Sequence, residues 1–210
     1  MIVSTSFLKE GNYANYIKEL NNSNTDCIHY DVMDGKFVDN TNLKSLKELE
    51  KYIGLSKKKI DIHLMVENPE KYIKMLSLYN INNITIHKEI KNYEDMIDLI
   101  KSYGIKAGLA INPETSIESI YNILHKLDIV LIMGVYPGKS GQSFIENTAK
   151  KIEDLKQVIK ERNLNTKISV DGGINEEVLP LVKDADIIVS ATYILNDLSN
   201  IDKIKSLKCN

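Results

Sequence analysis

The stretch Ile60-Asp-Ile-His-Leu-Met-Val-Glu-Asn-Pro-Glu-Lys-Tyr-Ile-Lys-Met-Leu-Ser-Leu-Tyr-Asn-Ile-Asn-Asn-Ile-Thr-Ile-His87 decides the fold. It opens on a short apolar run, 60–65, of the length a buried strand needs. Asn68 then reads as a helix N-cap, with proline at the first helical position. Apolar residues at three-to-four spacing continue over 69–78, and a second β-type run follows at 84–87. A strand, a helix and a strand in so short a stretch read as one unit of a parallel sheet.

Working outward, the same alternation covers the chain. Further β-type runs lie at 2–6, 27–32, 106–111, 129–135, 167–171 and 186–190. Helical patterns lie at 13–20, 43–53, 93–103, 117–124, 145–160, 176–182 and 200–207, with start signals at Thr115 or Ser116 and at Asn175. Eight units share 210 residues, about 26 each, close to the lower limit for an α/β fold of the (β/α)8 TIM-barrel type. No linker or composition shift interrupts the series, so one barrel domain over 1–210 is expected. The rival, a doubly wound open sheet, usually carries a glycine-rich turn after its first strand. Here that turn reads Phe7-Leu8-Lys9-Glu10-Gly11, with no GxGxxG.

The charge balance narrows the partners. There are 27 basic and 29 acidic side chains, a net charge of −2, and 43% of residues are hydrophobic. That supports a real core and argues against an electrostatic nucleic-acid binder. Only Arg162 is arginine, so a bound phosphate would rely on lysines or backbone N–H groups. Cys27 and Cys209 form no CxxC pair and no disulfide framework. With no leader-like N-terminus and no run approaching the roughly 18 apolar residues of a membrane span, a cytoplasmic protein with no membrane partner is expected.

Polar residues inside apolar strands call for a reason, because strands of this kind are buried on both faces. They gather near the C-terminal strand ends: His29-Tyr30-Asp31, Asp61-Ile62-His63, His87, Asn112 and Asp171-Gly172-Gly173. Barrel active sites sit at that end. Side chains alternate faces along a strand, so His29 and Asp31 point one way, as do Asp61 and His63. If those faces turn inward, His29, Asp31, His63 and Asp171 converge as two imidazoles and two carboxylates. That set suits one divalent metal ion such as Zn²⁺, Fe²⁺, Mn²⁺ or Co²⁺. His87 stays open between a core histidine and a residue behind that set, and His125 reads as a helix-end dipole partner.

A second constellation is rich in small residues. Tyr136-Pro137-Gly138-Lys139-Ser140-Gly141-Gln142-Ser143 follows the sixth strand, Gly172-Gly173 the seventh, and Ser190-Ala191-Thr192 the eighth. Such loops let backbone N–H groups approach an anion, and late barrel loops commonly hold phosphate.

Taken in order, these motifs resemble the ribulose-phosphate 3-epimerase family. The resemblance rests on 29–40, 61–70, 84–89, 108–115, 133–144 and 170–175, from the first strand to the eighth. It implies interconversion of D-ribulose 5-phosphate and D-xylulose 5-phosphate within the pentose phosphate pathway. It implies His29, Asp31, His63 and Asp171 as metal ligands, with Asp31 and Asp171 also the acid/base pair. It further implies that Ser6 and His63 contact a sugar-phosphate substrate, that Met33, Met65 and Met133 pack around the reacting carbons, and that Gly138, Lys139, Ser140, Gly141, Gly172, Gly173, Ala191 and Thr192 hold the phosphate. Family members self-assemble, so a homo-oligomer is expected. The chain departs from the family at Lys36, where His is usual, and at Thr5 and Asp39, where Pro is usual. It also departs at Lys139-Ser140 for Phe-Gly and at Ala191-Thr192 for Gly-Ser. Epimerases of allulose 6-phosphate, a hexulose phosphate, share the core motifs. Phosphate-barrel decarboxylases and aldolases are further relatives in chemistry, and a catalytically silent sugar-phosphate-binding protein is the reading outside enzymes.

Overall fold

The computed structural model describes residues 1–8, 12–42, 46–196 and 202–208. Among them eight parallel strands pair in sequence order and close into a barrel. They are β1 (Ile2–Ser6), β2 (Cys27–Met33), β3 (Lys59–Met65), β4 (Asn83–His87), β5 (Lys106–Ile111), β6 (Ile129–Met133), β7 (Lys167–Asp171) and β8 (Ile187–Ser190). Closure comes from β8 pairing with β1, which leaves no open edge. The open-sheet alternative is thereby excluded.

The helices wrap the outside: α1 (Tyr13–Asn22), α2 (Leu46–Ile53), α3 (Glu70–Leu76), α4 (Tyr93–Ser102), α5 (Asn147–Glu161), α6 (Thr192–Leu195) and α7 (Asp202–Ser206). Helix α4 shows how local sequence sets such an element. Met96, Ile97 and Ile100 share its buried face, Glu94 and Asp95 stand in the first turn, and Lys101 stands in the last. Those charges complement the helix dipole. Gly104 then ends it at φ +73°, its N–H donating to the Lys101 carbonyl.

Two expected helices are corrected. The segment 117–124 forms 3₁₀ turns at Ile117–Ile120 and Leu124–Lys126. Its buried Ile117, Ile120 and Ile123 recur every third residue, the period of a 3₁₀ helix. The segment 176–182 likewise reduces to a 3₁₀ turn at Leu179–Val182, with Pro180 at its start. Proline there has no N–H to continue a helix inward. Asn175 still acts as a cap, its Oδ1 accepting the Val178 N–H at 3.0 Å. His125 is exposed in the last turn of the short 3₁₀ segment Leu124–Lys126. Helix α6 follows β8 directly, where the sequence pattern gives no helix. The expected helix start at 43–45, its counterpart at 200–201, the turn residues Lys9 to Gly11, and Cys209 lie outside the described residues.

The outward strand faces, including Val3, Ile28, Tyr30, Ile62, Ile84, Leu109 and Val130, form one large apolar core with the helices. Each such side chain contributes roughly 1.5–3 kcal/mol on burial. The lumen differs. Period-two alternation turns Ser4, Ser6, His29, Asp31, Asp61, His63, Asn83, Thr85, His87, Ser169 and Asp171 inward, against a small apolar patch of Ala110, Leu131 and Met133. Space there is tight: a Cβ on Gly108 would lie 2.2 Å from Thr85 Oγ1. The barrel is thus packed apolar outside the sheet and hydrogen-bonded inside it.

Candidate active site and metal centre

Strand β2 carries His29 and Asp31, β3 carries His63, and β7 ends on Asp171. The barrel brings all four together, with their ligand atoms within 4.8 Å of one another. His29 Nε2 lies 3.4 Å from Asp31 Oδ1 and 3.8 Å from Asp171 Oδ2. His63 Nδ1 lies 3.1 Å from Asp31 Oδ1 and 3.6 Å from Asp171 Oδ2. The His63 side chain is 0% exposed, while Asp171, at 16%, faces a cavity.

The hydrogen bonds behind these atoms test whether a metal fits. His29 Nδ1 lies 2.7 Å from Asp61 Oδ2, and a carboxylate there only accepts, so Nδ1 carries the proton. In the neutral ring His29 Nε2 is then the bare nitrogen, and it is buried without a hydrogen-bond partner. A buried nitrogen lone pair aimed at two carboxylates is what a cation site requires. Two imidazole nitrogens and two carboxylate oxygens suit a borderline divalent ion. The residues present could hold one.

The electrostatics agree. Burial works against a charged His29, but Asp61 and then Asp31 outweigh it and raise its pKa well above the ordinary value. Burial also works against ionised Asp31, yet His29 and His63 hold its carboxyl well below the usual range. Burial, and then the Asp31 charge, push Asp171 up to about 7. The cluster therefore demands positive charge, whether as protons or as a cation.

Further residues support the four. Ser6 Oγ donates to Asp31 Oδ2 at 2.7 Å. Asp61 accepts from Ser4 Oγ at 2.8 Å and from Asn83 Nδ2. His63 Nε2 meets His87 Nε2 at 2.8 Å, and His87 Nδ1 meets Glu89 Oε2 at 3.1 Å. Burial drives the pKa of His87 down to about 4. Burial opposes ionised Glu89, but its hydrogen bonds to His87, Thr115 and the Asn112 N–H hold it at about 2. His87 therefore stands behind His63, resolving the open alternative. Sequence reading gave Ser4, Asp61 and Glu89 no role. Their signal was period two: Ser4 before Ser6, Asp61 before His63, Glu89 after His87.

Above the cluster opens a cavity of about 270 Å³. Its wall includes Ser6, Asp31, Met65, Met133 and Asp171, together with the residues from Tyr136 to Gln142, Gly172 and Gly173, and Ala191 and Thr192. Met33 is buried at the end of β2 and is not part of that wall. Gly172 at φ +102° and Gly173 at φ +72° occupy the left-handed region, and a Cβ on Gly173 would sit 2.7 Å from the Phe144 nitrogen. Ala191 has φ −114° and ψ −83°, outside the left-handed region that favours glycine. Gln142 Nε2 braces its own loop by donating to the Tyr136 and Lys139 carbonyls at 2.7 and 2.8 Å. Asn40 Nδ2 ties that loop to the one after β2 through the Gly138 carbonyl at 2.9 Å.

A closed parallel barrel with an imidazole–carboxylate centre at its C-terminal mouth, under small-residue loops, defines a (β/α)8 enzyme. Solved structures agree on the fold. The chain superposes on a tryptophan synthase α-subunit from Pyrococcus furiosus with a TM-score of 0.70 at 13% identity, covering 99% of this chain and 97% of that one. It superposes on a phosphoribosyl anthranilate isomerase from Thermococcus kodakaraensis with a TM-score of 0.64 at 14% identity, covering 100% and 99%. The ribulose-phosphate 3 epimerase family model matches residues 2–195. Ribulose-phosphate 3-epimerases from Bacillus subtilis (strain 168) and Aquifex aeolicus (strain VF5) are 38% and 39% identical, each covered over 84% of its length by 88% and 87% of this chain. The chain belongs to the ribulose-phosphate 3-epimerase family. No helix among the described residues is long and apolar enough to cross a membrane.

Proposed function

We propose that this chain epimerises D-ribulose 5-phosphate and D-xylulose 5-phosphate at C3, with Asp31 and Asp171 as the acid/base pair. Family membership supports the reaction, and the observation that carries the site is the convergence of His29, Asp31, His63 and Asp171 within 4.8 Å beneath the cavity.

The chemistry follows from C3 lying next to a ketone. One carboxylate removes the C3 proton, and the other returns a proton on the opposite face. The environments of the pair favour such a division: Asp31 is held ionised, while Asp171 is poised near neutrality. Ser6 orients Asp31 through its hydroxyl. Met65 and Met133 supply soft apolar walls that exclude water without competing hydrogen bonds. A divalent ion such as Zn²⁺, Fe²⁺, Mn²⁺ or Co²⁺, held by His29, Asp31, His63 and Asp171, would supply Lewis-acid charge to the substrate oxygens. Gly138 to Gly141, Gly172, Gly173, Ala191 and Thr192 would receive the phosphate through backbone N–H groups and hydroxyls.

We read the whole chain as one cytoplasmic barrel domain that assembles with copies of itself. Leu78, 78% exposed, and Tyr103, 44% exposed, offer apolar area for a second copy. Light scattering checks the assembly.

The deciding experiment uses Asp31→Asn and Asp171→Asn in a coupled epimerase assay, with circular dichroism to verify the fold. Each variant should lose turnover while remaining folded, and solvent deuterium should enter C3 of the wild-type product. Wild-type turnover in either variant refutes the assignment. Faster turnover of a hexulose 6-phosphate would shift the substrate class.

A further inference from the structure

A chain of polar contacts runs away from the centre past the end of β4, from His63 through His87 to Glu89. His63 and His87 face each other Nε2 to Nε2 at 2.8 Å, so a single hydrogen lies between the two rings, and what happens at their far ends decides which ring owns it. At one end, His63 Nδ1 faces Asp31 Oδ1 at 3.1 Å and Asp171 Oδ2 at 3.6 Å. To coordinate a cation there, Nδ1 must be bare. His63 then carries its hydrogen on Nε2 and donates it to His87, whose hydrogen must sit on Nδ1 and find an acceptor. The acceptor is Glu89 Oε2 at 3.1 Å. Glu89 is itself fixed, because its Oε1 accepts the Asn112 N–H at 3.0 Å and the Thr115 hydroxyl. Phe37 covers the His87 ring, with centroids 4.6 Å apart.

We propose that Glu89, acting through His87, fixes the tautomer of His63 that leaves Nδ1 free for a cation. Glu89 and His87 are positioning residues, since neither lines the cavity. The inference rests on the reading of the four-residue cluster as a cation site. It assigns β4, which contributes no ligand, the task of keeping a proton out of one.

Glu89→Gln tests this with almost no change in shape. The Asn112 N–H keeps the amide oxygen at the Oε1 position, so the NH₂ group turns toward His87 Nδ1. That nitrogen must now accept, His87 Nε2 must donate, and the His63 hydrogen is driven onto Nδ1. Competition titration of the full chain with Zn²⁺ against a chromophoric chelator should show affinity falling by about 10- to 100-fold, the usual cost of losing a group behind a ligand. Thr115→Ala, which keeps the carboxylate, should bind Zn²⁺ nearly as the wild type does. Long-range ¹H–¹⁵N spectra of the Zn²⁺-loaded wild type should show His63 protonated at Nε2 and His87 at Nδ1, and this measurement needs no variant to fold. Undiminished Zn²⁺ affinity in Glu89→Gln, or a wild-type His87 protonated at Nε2, overturns the relay and leaves the cluster standing. A wild-type chain that takes up no Zn²⁺ overturns the cation reading and the relay with it.

Discussion

Asp61 contributes none of the four ligand atoms, yet Asp61→Asn should weaken metal binding by about tenfold. The wild-type carboxylate is buried and accepts from three donors: His29 Nδ1 at 2.7 Å, Ser4 Oγ at 2.8 Å and Asn83 Nδ2. The amide keeps the shape but turns one end into a donor. Asn83 can adapt by flipping, because its own Oδ1 accepts from Asn82, whose side chain can turn in response. The fold should therefore survive, at a cost of about 1–3 kcal/mol. What cannot be restored is the charge behind His29. A charge-assisted hydrogen bond becomes a neutral one of roughly half the strength, a loss of about 1.4 kcal/mol at the bare Nε2, equivalent to tenfold in affinity. Zn²⁺ competition titration at pH 8, beside urea unfolding of the same samples, separates the two effects. Asp61→Leu should be far worse, since it strands three buried donors at about 1 kcal/mol or more each. Wild-type Zn²⁺ affinity in folded Asp61→Asn would refute the claim that Asp61 tunes His29.

Metal binding should also depend on pH. Asp171, with an ordinary value of 3.8, stands at about 7 in the chain without metal, so between those values the folded protein holds a proton that a cation must expel. Apparent Zn²⁺ affinity should fall by up to about tenfold per pH unit below 7, with proton release visible by calorimetry in two buffers; a flat profile from pH 8 to 5 contradicts it. By the same sign, the contribution of Asp171 to metal-free stability is full below its unfolded value of 3.8 and is lost as pH rises through about 7. Gly108→Ala should cost about 1–3 kcal/mol in urea unfolding, because its Cβ would lie 2.2 Å from Thr85 Oγ1 and 3.2 Å from Thr85 Cα, a backbone atom. Gly173→Ala, strained at φ +72° and against Phe144, should raise KM for the sugar phosphate while leaving Zn²⁺ affinity near wild type; an unchanged KM counts against the loop assignment.

The strands were legible because a sheet buried on both faces demands continuous apolar runs, and those runs are short and regularly spaced. The convergence of His29, Asp31, His63 and Asp171 was legible for a related reason. Period two puts His29 with Asp31 and Asp61 with His63 on one face, and ionisable pairs inside apolar strands have few structural uses. The outer units were harder to read. Ile117, Ile120 and Ile123 satisfy both a three-residue and a 3.6-residue period over so short a stretch, so 3₁₀ and α readings separate only in the folded barrel. Ser4 was opaque because its partner Asp61 lies far along the chain and meets it only inside the closed lumen, and Glu89 because the contact that gives His87 its place, to His63, is made between β3 and β4. Met33 shares a strand face with Asp31 yet is not part of the cavity wall, a difference that periodicity does not encode.

The pairing of β8 with β1 has a consequence for how the protein assembles. Neighbouring strands and their helices form contacts local in sequence, and these can accumulate one unit at a time. The four-residue cluster cannot, since it draws on strands two, three and seven, and Asp171 reaches His29 and His63 only across the lumen. An arc of strands that has not yet joined its ends holds the two halves of the centre apart. A cation gripped by all four side chains would therefore act as a clasp on the finished ring, favouring the closed over the open arc by its own binding free energy. Metal uptake during refolding would then time the final joining of β8 to β1, not the earlier growth of the sheet.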